Sequence, residues 1–228
     1  MKKRMVILTK SDKHCAYCVA GRDIDTGEWL RLVNGQGVIT SKDLMTKENY
    51  ECKELDIVEV ECFDLESEIE HQPENVLIHP ESYIKKIGQM TWGEVISKWG
   101  LEKSNTVLGI RQPEDGSPSI EISRRLEYYE KHNIKHKSLA MIKANNLNFK
   151  FNEYNGEPKR HSKVYFEYHN NSGETLCYKL TATDPNFPND YSIDGLHLDN
   201  AYIIVSLGEI FKEDGRVYLL AAKIITTE

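Results

Sequence analysis

Two thiols and an imidazole stand close together near the start of the chain, in His14-Cys15-Ala16-Tyr17-Cys18. A Cys-x-x-Cys pair beside a histidine is the raw material of a zinc site. Such a site needs a tight knuckle under the pair and two further ligands elsewhere. Here residues 14–22 read as a continuous strand, and side chains three apart in a strand point to opposite faces. There is no second Cys-x-x-Cys, and Cys52 and Cys62 are ten positions apart. The expectation is no metal. A thioredoxin-like redox pair is also disfavoured, because no βαβ pattern follows the motif.

Carboxylates are the next chemical resource. From Glu48 to Glu74 there are eleven acidic residues and one basic residue, Lys53. Asp56, Glu59 and Glu61 have the residue types of a two-metal nuclease. In a regular strand, however, Asp56 points away from the other two. Alternating acids of this kind read as a solvated face. No Walker loop, G-x-G-x-x-G, H-E-x-x-H or G-x-S-x-G occurs, so neither a catalytic centre nor a cofactor is expected.

Basic and aromatic groups suit a different task, stacking on bases while neutralising phosphates. The first half nominates Lys10, Ser11, Lys13, Tyr17, Arg22, Trp29 and Arg31. Trp29 and Arg31 share a strand face, so a base would stack while a guanidinium meets a phosphate. The competing role for Trp29 is a barrel plug buried under a hairpin; for Lys10 and Ser11 it is loop solvation. The second half nominates Lys159, Arg160, Lys163, Tyr165, Tyr178, Lys179 and Phe187. Tyr165 and Tyr178 also suit half-buried sheet positions. From Arg124 to Lys163 ten basic residues face four acidic ones, with His132, His136 and His161 among them. The net charge of −7 hides this gradient, and local patches decide which polyanion docks.

The elements that must position these groups are mostly strands. Residues 2–9, 14–22 and 29–33 read as an opening three-strand meander. Lys10 to Lys13 form a polar loop, and Asp25-Thr26-Gly27 suits a turn closed by a left-handed glycine. LDIVEVECFDL, 55–65, is a strand with Asp56, Val58, Val60 and Cys62 on one face. Residues 81–87 and 91–99 look helical. Thr91 and Glu94 form a capping box there, and Trp92, Val95, Ile96 and Trp99 lie on one face, which points to core. Residues 103–120, with Gly109, Pro113, Asp115-Gly116 and Pro118, suit a junction. The segment 124–138 is a short helix or an irregular crossover. The second half offers strands at 139–143, 147–153, 163–169, 175–182, 201–206 and 216–226. Asn171-Ser172-Gly173 and Asp214-Gly215 are hairpin signals. Residues 184–196 form a long loop.

The expected fold is mainly β with a few short helices, as two OB-like small β-barrels in tandem. The expected domains are 1–110, with a helical segment at 81–99, a junction at 111–137, and 138–228. Hydrophobic residues at 39% suffice for a core. Five cysteines in 228 residues suggest reduced thiols rather than a disulfide framework. The apolar run after MKKRM is too short for a signal peptide, and no run suits a membrane span, so the expected location is cytoplasmic.

ILTKS, CVAG and DTGEWLRLV near the start, QPEN at 72–75, IVSLGEIF at 204–211 and LLAAKII near the end resemble the bacterial dual-OB-domain family. The similarity runs from residue 7 to 225. It implies two linked OB barrels that bind nucleic acid or nucleotides, often in bacterial conflict systems against phage. The expected function is a non-enzymatic nucleic-acid or nucleotide-ligand binder, sensing its ligand for a partner effector. The alternatives are a protein-interaction module using the acidic 48–74 segment, or a nucleic-acid enzyme with a dispersed site.

Overall fold

A computed structural model describes residues 1–63, 69–150, 162–186 and 196–226, and the backbone of 153–154 and 157–158. The chain packs as two compact units, Met1–Gly100 and Leu101–Glu228.

In the first unit β1 (Lys2–Lys13) pairs antiparallel with β2 (Ala16–Asp23) on one side and β4 (Asp56–Glu61) on the other. β2 pairs with β3 (Trp29–Val33), and β3 pairs in parallel with β5 (Asn75–Leu77). A bridge between Cys62 and Ile78 joins β5 back to the end of β4. Phe63 N donates to Leu77 O at 2.9 Å and His79 N to Glu61 O at 2.9 Å beside it. β6 (Lys85–Gln89) adds to the outside of β4. The helix α1 (Trp92–Trp99) follows, with the capping box between Thr91 and Glu94 in place.

The second unit repeats the order. β7 (Ser119–Glu121) and the helix α2 (Ile122–Lys131) lead into β8 (Leu139–Lys150). A small hairpin, β9 (Glu153–Tyr154) with β10 (Glu157–Pro158), comes next. β8 then pairs with β11 (Lys163–His169) and with β13 (His197–Leu207). β11 pairs with β12 (Thr175–Ala182), β12 in parallel with β14 (Arg216–Thr226), and β14 with β13. Those five strands close into a barrel, and β7 pairs onto β14. Both units thus follow strand order 3-2-1-4-5 with strands 3 and 5 parallel, the Greek-key connectivity of an OB barrel.

The first strand of each unit serves two partners and must bend to do so, and each carries a bulge. In β1 the register shifts between Ile7 and Thr9. In β8 it shifts opposite Tyr165 and Glu167, next to Asn146 at φ 48°. At the β1 bend the chains come so close that a Cβ on Gly21 would lie 1.8 Å from the Val6 carbonyl oxygen. Only glycine fits that crossing.

Alternation fills the cores. Met5, Ile7, Val19, Leu30, Leu32, Val58 and Val60 meet inside the first unit. Ile142, Phe149, Val164, Phe166, Tyr178, Leu180, Ile203 and Leu219 meet inside the second. Val107, Leu108 and Ile110, from the stretch expected as a junction, pack into this second core.

Several local expectations are corrected. Lys10 to Lys13 are not a loop: they are the end of β1, paired with Ala16 to Val19. The reversal falls on His14 and Cys15, both at positive φ (47° and 65°). That is the backbone of a tight primed hairpin turn, built without the usual asparagine or glycine. Residues 85–89 are strand rather than helix, because pairing with β4 overrides local propensity. The strand expected at 139–143 and the part 147–150 of that expected at 147–153 are one, since Asn146 takes the bulge instead of ending the element, while 151–152 lie outside the described residues. Residues 122–131 are helical. On α1 only Val95 is buried, and the two tryptophans are half-buried. The Trp99 indole lies against the turn at Gly27, where a Cβ would meet its Nε1 at 3.0 Å. Among the described residues no helix is long and apolar enough to cross a membrane.

Candidate nucleic-acid interface

The two barrels present the outer faces of their second and third strands differently. In the first unit these strands are β2 and β3, and the face holds Arg22, Trp29 and Arg31. All are buried: Arg22 is 9% exposed, Trp29 6% and Arg31 1%. Arg22 and Trp29 are cross-strand partners, with the guanidinium 4.1 Å from the ring centroid. Arg22 Nη1 also donates to Gly27 O at 3.0 Å, tying the hairpin turn to the sheet. The pair is held inside the fold. Trp29 is therefore a buried packing residue rather than an exposed platform.

The other nominees of the first unit are also engaged. Lys10 is ion-paired with Glu51 and lies 4.2 Å from the Tyr17 ring centroid. Tyr17 packs against the core. Ser11 is 3% exposed. Lys13 Nζ donates to Gly37 O at 2.6 Å. Acidic side chains meet the remaining β1 cations too, Lys3 with Asp23 and Arg4 with Asp25. The Arg4 guanidinium, through that hydrogen bond, holds the Asp25 carboxyl below its ordinary range.

Asp56 is fully buried, away from Glu59 and Glu61. Its carboxylate meets Lys86 Nζ at 2.6 Å and accepts from Tyr50 Oη at 2.8 Å and Lys53 N at 3.0 Å. It is a structural anchor for the loop before β4. Burial raises the Cys52 and Cys62 thiols to about 11, which leaves them protonated and poor as metal ligands or nucleophiles. All five cysteines are free. Among the described residues no three His, Cys, Asp or Glu side chains gather to hold a metal.

The corresponding face of the second barrel is open. Its strands are β11 and β12, flanked by β8. Cross-strand register sets Lys179, Tyr165, Asn148 and His197 in one row over β12, β11, β8 and β13. Thr181, Lys163 and Lys150 form the next row. Tyr165 is half-buried, so part of its ring meets solvent. Lys150 Nζ lies 5.6 Å from its centroid and Lys179 Nζ 5.5 Å. Among the described residues neither lysine has a carboxylate partner. Lys163 Nζ is held by Thr181 Oγ1 at 2.6 Å and Ser117 Oγ at 3.1 Å. Cys177 is exposed on the same strand face, opposite Glu167.

Tyr178, one residue from Lys179, faces inward and is 2% exposed. Its hydroxyl donates to Ile110 O at 2.8 Å and accepts from Val107 N at 3.0 Å. Burial pushes its pKa up. It is a core clamp and lies outside the interface. Lys159, Arg160 and Phe187 lie outside the described residues.

The site thus brings together Lys163, Tyr165 and Lys179 from the sequence nominees. It adds Lys150, Asn148 and His197, which sequence reading missed. A signal for two of them was present: in Leu147-Asn148-Phe149-Lys150 the apolar residues alternate with outward polar ones.

No curated protein matches the chain in sequence. Solved structures that it resembles include a murine DNA-binding protein bound with dsDNA. That likeness has 8% identity, 100% of each chain covered and a TM-score of 0.32. Another is the Ifi202 HINa domain in complex with 20 bp dsDNA, at 11% identity, covering 100% of this chain and 97% of that one, with a TM-score of 0.37. A third is the p204 HINb domain, at 10% identity, 96% of each chain and a TM-score of 0.36. The family model of the dual OB-containing domain matches residues 3–224, which takes in most of both units. The chain belongs to that family.

Proposed function

We propose that this chain is a non-enzymatic binder of single-stranded nucleic acid, with its site on the outer face of β11, β12 and β8. One observation carries the reading: Tyr165 sits half-buried between two exposed-face lysines, 5.6 and 5.5 Å from its centroid. A half-buried ring offers a base a surface at little entropic cost, and flanking ammonium groups suit the phosphates on either side. A duplex keeps its base faces covered, so a stacking platform favours unpaired strands or nucleotides. Lys163 extends the cationic row, and Lys159 and Arg160 belong to the same chain segment leading into it. The reading extends to a cytoplasmic sensor that reports its ligand to a partner effector in a bacterial anti-phage system, as the sequence resemblance implies. The rival reading, an acidic docking face at 48–74, is weakened by local neutralisation: Glu51, Asp56, Glu59 and Glu61 all have lysine partners within the unit.

The test is equilibrium binding of labelled single-stranded DNA and RNA as a function of salt. Tyr165→Ala is expected to weaken binding by roughly 1–3 kcal/mol at every salt concentration. Lys150→Ala and Lys179→Ala are each expected to reduce the magnitude of the salt slope by about one ion. Wild-type affinity in all three variants, with the parent binding well, would move the site elsewhere. A parent that binds no oligonucleotide at low salt would end the reading.

A further inference from the structure

The row that holds Tyr165 continues past Asn148 to His197 on β13, which faces Asn148 across the β8–β13 pair. The imidazole Nδ1 lies 3.1 Å from Asn148 Oδ1, and its Nε2 lies 3.1 Å from Asp199 Oδ1. The Asn148 amide is fixed in that sense, because its Nδ2 donates to the Asn146 carbonyl at 2.9 Å. Turning it round would set two oxygens against each other. Both ring nitrogens of His197 therefore face acceptors, one an amide oxygen and the other a carboxylate. A neutral imidazole has one N–H and one lone pair. In either tautomer it would satisfy one contact and oppose the other. Only the doubly protonated ring donates to both.

We infer that His197 is a proton-dependent fourth cation of this face, and that the face takes up a proton when it binds a polyanion. The inference rests on the nucleic-acid reading of the Tyr165 face. Among the described residues the charged groups of this face are Asp199 beside the ring on its own strand, Lys150 on β8, Lys163 and Glu167 on β11, and Lys179 three strands away on β12. The His197 side chain is 48% exposed and Asp199 85%, so Asp199 holds the ring in place yet is screened by water. A phosphate arriving beside the lysine row adds negative charge next to the imidazolium and favours its protonated form. Acid then strengthens binding, and binding draws in a proton.

The experiment measures affinity of the full chain for a fluorescein-labelled oligothymidylate at about pH 5.5 and about pH 8. Salt is varied at each pH. The parent is expected to bind at least about threefold more tightly at the lower pH, with a salt slope steeper by about one ion. His197→Gln should lose the gain at the lower pH. His197→Lys should carry the steeper slope at both. His169→Gln, at the far end of β11, should keep the parent's pH response. Thermal melts establish that each variant is folded. A pH gain that persists in His197→Gln, or a parent that binds equally at both pH values, overturns this inference and leaves the Tyr165 reading standing. A parent that binds at neither pH overturns both.

Discussion

Tyr178 and Tyr165 show how one register position decides a side chain's task. They stand on paired strands, opposite Phe166 and Lys179 respectively. The inward ring clamps the backbone at Val107 and Ile110, and the outward ring lies between lysines. Tyr178→Phe removes two buried hydrogen bonds and leaves Val107 N and Ile110 O without that partner. We expect a loss of roughly 1–3 kcal/mol of stability by denaturant melts, with oligonucleotide affinity unchanged. The phenol also sets a pH dependence. Its folded pKa is raised, so its contribution is complete below the unfolded value, roughly 10, and is lost as pH rises through the folded one. Alkaline melts of the parent should therefore fall more steeply above about pH 10 than those of Tyr178→Phe. The type Tyr says nothing about which ring faces in. Alternation does: Leu176, Tyr178 and Leu180 are in phase with one another and out of phase with Lys179.

Among the elements, those with the strongest local chemistry were legible. The left-handed glycines at 27, 173 and 215 sit where their turns require them (φ 74°, 79° and 69°). The alternation of Asp56, Val58 and Val60 gave the buried face of β4, and the capping box gave the start of α1. What escaped was set by distant partners. Nothing local in Lys85–Gln89 favours a strand, which exists because β4 offers an open edge. The His14–Cys15 reversal is imposed by the pairing of Lys13 with Ala16, and neither residue signals it. The buried face of β2 and β3 was equally hidden, since Arg22 and Arg31 read as solvent-seeking in any sequence scale. The β1 bend depends on Gly21. Gly21→Ala forces β1 and β2 apart at Val6, with an expected cost of roughly 1–3 kcal/mol or more and a clear drop in Tm.

At the scale of the whole molecule, one connectivity occurs twice and is used in two ways. Each barrel sets an aromatic ring opposite a cation on its second and third strands, Trp29 with Arg22 and Tyr165 with Lys179. In the first barrel the pair is buried; in the second it is partly exposed. The two rings should therefore fail differently. Trp29→Ala should cost roughly 3–5 kcal/mol of stability. Tyr165→Ala, on a half-exposed face, should leave Tm close to the parent's while affinity falls. Equal loss of stability in both variants would contradict this division of labour.

Cys177 gives the second barrel's face a reporter of its own. Its thiol is exposed two residues from Lys179 and points the same way, whereas Cys52 and Cys62 are buried. Cys15, exposed, and Cys18, half-buried, lie on a different unit and can be replaced by serine. A single environment-sensitive dye on Cys177 then sits within a few ångströms of the lysine row. Occupancy of that face becomes a fluorescence signal from the protein itself, readable in a crude mixture of candidate ligands before any one of them has been labelled.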